Sequence, residues 1–151
     1  MKYAFLFRLL LGCSFASQAQ TAEDSIKLSI NKLFDGMKAG DAAMIKAAFA
    51  DSAILQSVGI DRKTGNLHIE NEAVNDFADF VGKQPKGAAD ERITYDVIRI
   101  DGQLAIVWAP YKFYFNGVFS HCGVDSFQLI KIGNDWKIQY LIDTRRRNNC
   151  E

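Results

Sequence analysis

Three two-residue turn signals divide the second half of the chain into four short apolar segments. They are Asp101-Gly102, Asn116-Gly117 and Gly133-Asn134, and they separate runs rich in Val, Ile, Phe, Tyr and Trp. Asp-Gly and Asn-Gly pairs favour the tight turns whose twist matches that of antiparallel strands. The sequence therefore predicts a four-stranded antiparallel meander from Arg92 onward.

The residues before this meander have helical periodicity, interrupted by one hairpin. An apolar stripe predicts a helix over residues 22–39, ended by Gly40, and Asp41 is placed to cap a second helix over residues 42–49. Residues 52–60 and 67–70 are predicted to form a hairpin, and Asn71 is expected to cap a third helix. Three helices against one face of an antiparallel sheet make an α+β fold.

The turn positions also predict the register of the meander. Closing each hairpin on its turn pairs Ile100 with Gln103, Phe115 with Val118, and Ile132 with Asp135. Alternation then places the following side chains under the helices: Tyr95, Leu104, Ile106, Trp108, His121, Asp125, Phe127, Leu129, Trp136, Ile138, Tyr140, Ile142, Thr144 and Arg146. The opposite face is expected to meet solvent or a partner subunit, and it carries Ala105, Val107, Ala109, Tyr111, Val124, Gln139, Asp143 and Arg145.

Polar groups gather among aromatic side chains at one end of the predicted inner face. An apolar cavity with a few converging polar groups is typical of a site for a small ligand. The predicted ligand pocket is lined by Tyr95, Trp108, Tyr114, Asp125, Thr144 and Arg146. Asp125 and His121 are the candidates for acid–base catalysis. The alternative for Asp125 is a structural carboxylate bound to Arg146 or to a tyrosine hydroxyl. The alternative for His121 is an imidazole without a function.

The N-terminus is typical of a secretory signal peptide. Residues 1–19 combine a basic start, a short apolar stretch and small residues before the expected cleavage point. Cleavage would leave a single domain, residues 20–151, in the periplasm or outside the cell, and the short apolar run before Cys13 does not favour a lipoprotein. Loss of Cys13 leaves Cys122 and Cys150, an even pair and hence a disulfide candidate in an exported protein.

Charge and composition argue against several other classes. Lys and Arg number 18, as do Asp and Glu, so the sequence does not indicate a surface for nucleic acid. No apolar run is long enough to form a membrane-spanning helix. The Cys and His residues do not have the spacing of a zinc site, so neither a metal nor another cofactor is predicted.

Several short motifs resemble the nuclear transport factor 2-like superfamily, which includes ketosteroid isomerases, scytalone dehydratase and polyketide cyclases. They are Lys38-Ala39-Gly40-Asp41, Ala48-Phe49-Ala50-Asp51-Ser52-Ala53, residues 105–111 and residues 134–138. Residues 121–127 and 142–146, with a Cys near the C-terminus, resemble exported bacterial members described as putative lumazine-binding. The resemblance covers residues 23–150. It implies a cone-shaped fold with a curved sheet around a deep pocket, commonly dimerised through the sheet.

The resemblance does not imply one reaction, because this superfamily includes enzymes, binding proteins and assembly modules. We predict an exported protein that binds a small apolar or aromatic molecule. One alternative is an isomerase, dehydratase or cyclase that uses Asp125 as an acid or base. The other is a structural or assembly module, a homodimer formed through the outer face of the sheet.

Overall fold

The computed structural model describes residues 21–61 and 63–150, which form three helices and seven strands. The helices are α1 (Ala22–Ala39), α2 (Ala42–Ala48) and α3 (Val74–Val81). The strands are β1 (Phe49–Ile60), β2 (Leu67–Glu72), β3 (Ala89–Ile93), β4 (Val97–Asp101), β5 (Leu104–Phe115), β6 (Val118–Ile132) and β7 (Asp135–Thr144). The predicted signal peptide, with Cys13, lies outside the described residues.

All the strands belong to one curved sheet, on which the helices pack. The strand order is β2-β1-β7-β6-β5-β3, and β4 also pairs with β5. Neighbouring strands are antiparallel except β1 and β7, which run parallel. The predicted α+β fold is therefore confirmed. No helix in the part of the chain that the structure describes is long and apolar enough to cross a membrane.

The helix boundaries follow from the local sequence. α1 ends at Gly40, whose φ of 68° lies in the left-handed region that favours glycine. Asp41 caps α2 by accepting a hydrogen bond of 2.9 Å from the backbone N–H of Met44, as predicted. The predicted cap of α3 is wrong, because Asn71 lies in β2 and its side chain accepts a hydrogen bond from Gln56.

The helices cover a continuous apolar core on the inner face of the sheet. Ile26, Ile30 and Leu33 of α1 are almost completely buried, and Phe34 packs edge-to-face on Phe127 with ring centroids 6.3 Å apart. Phe127, Leu129, Trp136 and Ile138 all lie in this core, which confirms their predicted inward orientation. Burial of this stripe gives the sheet its inner and outer faces.

A β-bulge at Ser120 changes the predicted register of β5 and β6. Phe115 pairs with Val118 beside the turn, as predicted, but Phe113 pairs with His121 and Ser120 has no opposite residue. From Phe113 to Leu104, each residue of β5 pairs with β6 one residue away from the predicted partner. A one-residue step moves the side chains of a strand to the other face.

The predicted faces of β5 are consequently reversed. Ala105, Val107, Ala109 and Tyr111 are buried under the helices. Leu104, Ile106 and Trp108 point outward, and the side chain of Trp108 is 46% exposed. Asp125 pairs with Ala109 rather than with Trp108.

A second bulge, at Gln139, reverses the end of β7. Leu129 pairs with Ile138 and Gln128 with Tyr140, so Gln139 is the extra residue. Beyond it, Leu141 and Asp143 lie inward, while the predicted inward residues Tyr140, Ile142, Thr144 and Arg146 do not.

The remaining differences concern the first strands of the meander. The β4–β5 turn is Gly102-Gln103, which pairs Asp101 with Leu104, two steps from the prediction. A two-residue step leaves the faces of a strand unchanged. β3 begins at Ala89, three residues before the predicted start of the meander at Arg92, and it is separated from β4 by an irregular segment, residues 94–96.

A disulfide joins Cys122 to Cys150 across the outer face, as predicted. The pairing predicted from the Gly133-Asn134 turn places Arg145 opposite Cys122, but the backbone of Cys122 pairs with Arg146. The chain then turns at Asn149, where φ is 54°. This turn brings the two Cα atoms to 5.8 Å. At the neighbouring residue, Gly123, the end of β7 lies close to β6. A Cβ at this position would lie 1.7 Å from the Thr144 carbonyl oxygen, so only glycine fits.

The disulfide closes a loop of 28 residues and restricts the unfolded chain. We expect Cys150→Ser to lower the free energy of unfolding by about 2–4 kcal/mol, measured by denaturant unfolding without reductant. Dithiothreitol should bring the wild type to the stability of the variant and leave the variant unchanged. Equal stability of wild type and variant without reductant would contradict a stabilising disulfide.

Candidate functional site

A cavity with two adjoining chambers lies between the helices and the inner face of the sheet. The outer chamber has a volume of about 380 Å³. The inner chamber has about 50 Å³ and reaches the sheet at Asp125. Both chambers are lined by Met37, Glu72, Phe77, Glu91, His121 and Arg145, so they lie side by side.

The walls of the outer chamber are largely aromatic. Phe77, Phe80 and Val81 come from α3, and Phe113 and Phe115 come from β5. The inward direction of the two β5 residues follows from the alternation that continues from Tyr111. The chamber therefore has an apolar surface for a flat or aliphatic group.

Asp143 is held at the sheet end of the inner chamber by three hydrogen-bond donors. Its carboxylate accepts from the Ser57 hydroxyl, from the Tyr111 hydroxyl at 2.9 Å and from Nε of Arg145 at 2.9 Å. Burial, followed by the charge of Asp143, raises the pKa of the Tyr111 hydroxyl, which therefore remains a donor. This arrangement suits a carboxylate anion.

Asp125 lies directly opposite Asp143 in the β6–β7 pair. Its side chain is 3% exposed, and among residues 21–61 and 63–150 no group donates a hydrogen bond to its Oδ2. Burial raises the pKa of Asp125 well above its usual value, and the charges of Glu91 and Asp143 raise it further. Two facing carboxylates in a buried site repel each other, so Asp125 is the member that retains a proton.

Glu91 completes the site from β3. Glu91 lines the inner chamber together with Asp125, and it also lines the outer chamber, where it is partly exposed. Burial raises the pKa of Glu91 to about 7, against the hydrogen bond from Asp125, which lowers it. Glu91 and Asp125 therefore form a carboxyl pair that shares one proton near neutral pH.

His121 lines both chambers beside this pair. Its ring packs edge-on against Tyr111, with centroids 5.7 Å apart, and its Nδ1 lies 3.0 Å from the Ser120 hydroxyl oxygen. Burial, and then the charge of Arg145, lowers the pKa of His121. The imidazole is therefore neutral at pH 7, and it can donate or accept a hydrogen bond toward the cavity.

The structure brings together two of the residues predicted to form a site, Asp125 and His121. Tyr95 is half-buried under α1, where its hydroxyl donates to the Asn31 side-chain oxygen at 2.7 Å. The remaining four predicted pocket residues do not line the cavity; they are Trp108, Tyr114, Thr144 and Arg146.

These four residues lie on the outer face because the bulges at Ser120 and Gln139 reverse the faces of β5 and of the end of β7. Tyr114 lies at the bulge and stacks against the Arg92 guanidinium, 4.2 Å from the ring centroid. The Thr144 hydroxyl accepts a hydrogen bond from the backbone N–H of Val124. Arg146 is exposed and donates to the carbonyl of Asn149.

Sequence reasoning missed Glu91, Tyr111, Asp143 and Arg145. Glu91 lies one residue before the predicted start of the meander at Arg92. A strand that begins at Ala89 places Glu91 on the same face as Ile93, because every second side chain of a strand points to the same side. The other three were assigned to the wrong face by the two bulges, for which the sequence shows no clear signal.

The described residues, 21–61 and 63–150, contain no group of three His, Cys, Asp or Glu side chains that could hold a metal ion. The polar groups of the cavity are instead arranged around hydrogen bonds and one shared proton.

The raised pKa of the carboxyl pair makes stability depend on pH. The folded protein holds the proton more tightly than the unfolded chain, so the pair stabilises the fold most below about pH 4.5 and loses this effect as the pH rises through about 7. We expect Asp125→Asn to gain stability relative to wild type between about pH 5 and pH 8, by about 1–2 kcal/mol. Urea unfolding across this pH range measures the difference.

Asp143→Asn is the matched control on the facing strand. It removes the acceptor of three hydrogen bonds, so we expect it to destabilise the protein throughout the same pH range. Parallel curves for wild type and Asp125→Asn would show that the pair does not hold an extra proton.

Comparisons with known proteins place this geometry in a family. A family model described as "Putative lumazine-binding" matches residues 21–140. No curated protein matches the chain. An NTF2-like protein of unknown function from Shewanella baltica is similar over 83% of this chain and 94% of its own, with a TM-score of 0.62 and 17% identity.

Two further solved structures have the same architecture. An NTF2-like protein from Methylobacillus flagellatus has a TM-score of 0.61 and 22% identity over 82% of this chain and 91% of its own. A protein from Nostoc punctiforme with a cystatin-like fold has a TM-score of 0.64 and 13% identity over 85% of this chain and 95% of its own. At this identity the structures show the fold alone. The family match covers most of the sequence, so the chain belongs to the putative lumazine-binding family, and its fold is similar to that of the NTF2-like structures.

Proposed function

We propose that the protein binds a small molecule in the two-chamber cavity, with the apolar part of the ligand in the outer chamber and a polar end in the inner one. The observation that carries this proposal is the buried Oδ2 of Asp125, which lines the inner chamber and has no hydrogen-bond partner among the residues that the structure describes. The volume of about 380 Å³ in the outer chamber is in the range of small-molecule sites. The lumazine-binding family description supports the same function.

Lumazine itself has the chemistry that this cavity would accept. It is a flat, uncharged heteroaromatic ring whose N–H groups can donate hydrogen bonds. The aromatic walls of Phe77, Phe80 and Phe113 would contact the ring, and the carboxyl groups of Glu91 and Asp125 would accept from its N–H groups. Lumazine is therefore the first probe of small-molecule binding in this cavity.

Proton transfer is a second candidate function. A carboxyl pair with a pKa of about 7 can take up and return a proton at neutral pH. The pair lies at the end of a cavity, beside the hydroxyl of Tyr111. If the bound molecule is turned over, Asp125→Asn should abolish turnover while the molecule still binds. Unchanged turnover would remove this candidate.

The protein acts, in this proposal, outside the reducing cytoplasm. The Cys122–Cys150 disulfide supports a non-reducing compartment. Removal of residues 1–19 would deliver the domain that begins at residue 20 to the periplasm or the medium. The N-terminal sequence of the protein recovered from these fractions tests the cleavage.

The outer face of the sheet supports a homodimer. Leu104, Ile106 and Trp108 follow one another along the outward side of β5, and each is about half exposed. An apolar stripe of this kind on a curved sheet is typical of an interaction surface. We propose that a second copy of the chain covers it.

The ligand proposal predicts a local effect of Phe80, which is 62% exposed at the outer chamber. In a fluorescence or calorimetric titration with uncharged heteroaromatic compounds that include lumazine, we expect Phe80→Ala to weaken binding about tenfold, because one aromatic contact is lost. Phe119→Ala, an exposed phenylalanine outside both chambers, is the control and should bind as the wild type does. Equal effects of the two variants would place the ligand elsewhere.

The dimer proposal predicts a monomer when a charge is placed on the outer face. We expect Ile106→Lys to shift the sedimentation coefficient from dimer to monomer, because burying an unpaired ammonium opposes association. Leu28→Lys, an equally exposed apolar position on α1, should leave the dimer intact. A monomeric wild type at tens of micromolar would contradict the dimer.

A further inference from the structure

The cavity has more acidic groups than it has cations to balance them. Glu70, Glu72, Glu91, Asp125 and Asp143 all line its two chambers. Arg145 is the cation among these lining side chains, and its Nε donates to Asp143. His121 is neutral at pH 7, since burial and the charge of Arg145 lower its pKa. An anionic ligand would therefore enter a negatively charged cavity without an available positive partner.

The inner chamber has the size and polarity of a site for a small donor group. Its volume is about 50 Å³, and one water molecule occupies about 30 Å³ in the liquid. Leu33, Phe34 and Leu141 form apolar walls around the acceptor Oδ2 of Asp125, which has no donor among the described residues. A buried acceptor of this kind gains free energy when a donor reaches it, and most when the donor is charged.

We propose that the cavity selects amphipathic amines, whose protonated amino group donates to Asp125 and Glu91 while the apolar body fills the outer chamber. This inference rests on the proposed function, that the cavity binds a small molecule. The inner chamber would take an ammonium head group in preference to uncharged or anionic groups of the same size.

Binding of an amine would release the proton that the pair shares. Before binding, one proton lies between Glu91 and Asp125, and the pair carries one negative charge. The ammonium N–H groups replace that proton, which leaves for solvent, and the two carboxylates then face one positive charge. The affinity should consequently rise with pH until the pair is fully ionised.

The groups around the pair support this direction. Asp143 and Arg145 form an ion pair at the end of β7, and Tyr111 of β5 remains protonated. His121 of β6 is neutral, and Glu72 of β2 has a pKa raised by burial. The side chains that α1 and α3 contribute to the inner chamber are apolar; they are Leu33, Phe34, Met37 and Phe77. No cation other than Arg145 lines the inner chamber in the part of the chain described by the structure.

Three probes with the same carbon skeleton test the selection: 4-phenylbutylamine, 4-phenylbutanol and 4-phenylbutyrate. By isothermal titration calorimetry of the oxidised protein near neutral pH, we expect the amine to bind about tenfold more tightly than the alcohol, and the carboxylate most weakly. The amine affinity should rise between about pH 5 and pH 8, with proton release detected in buffers of different ionisation enthalpy.

Asp125→Asn should reduce the ratio of amine to alcohol affinity to about one, and Glu91→Gln should do the same if the first variant does not fold. Asp51→Asn, which changes an exposed carboxylate outside both chambers, should keep the wild-type ratio. Equal affinity for amine and alcohol in the wild type, with both weakened by Phe80→Ala, would overturn the amine inference and leave the proposed function standing. Failure of all three probes and of the heteroaromatic compounds would overturn both.

Discussion

The cavity depends on one electrostatic constraint, the placement of two carboxyl groups directly opposite each other on β6 and β7. In a buried site Asp125 and Asp143 cannot both be ionised without a large cost. The structure resolves this by giving Ser57, Tyr111 and Arg145 to Asp143 and none of them to Asp125. Asp125 therefore keeps a proton that it shares with Glu91, and a hydrogen-bond donor that enters the inner chamber would have to replace it.

The sheet brings these groups together by two irregularities. The bulges at Ser120 and Gln139 each add one residue to a strand. Each bulge shifts the register of the strand pairs beyond it by one residue. The first bulge directs Tyr111 inward, and the second directs Asp143 inward. In a perfectly regular meander both would face outward, and Asp125 would be buried without this surrounding network.

The sequence predicted the parts of the fold that have a local chemical cause. Gly40 and Asp41 delimit two helices because one adopts a left-handed φ and the other caps a helix. The faces of β6 were predicted correctly, because Phe127 and Leu129 alternate with polar residues. β5 is apolar on both faces, so alternation could not show whether Val107 or Trp108 is buried, and the bulges have no comparable signal. The candidate site was thus predicted at Asp125 and His121, but not at the residues that surround them.

The protonation of the carboxyl pair is tested most directly by nuclear magnetic resonance. The side-chain carboxyl ¹³C shifts of Glu91 and Asp125 can be followed from about pH 3 to pH 9 in the oxidised protein. The account predicts that the two signals change together and that their midpoints lie well above those of ordinary carboxyl groups, with Glu91 near 7. Independent titration of both groups near pH 4, as for exposed carboxylates, would contradict it.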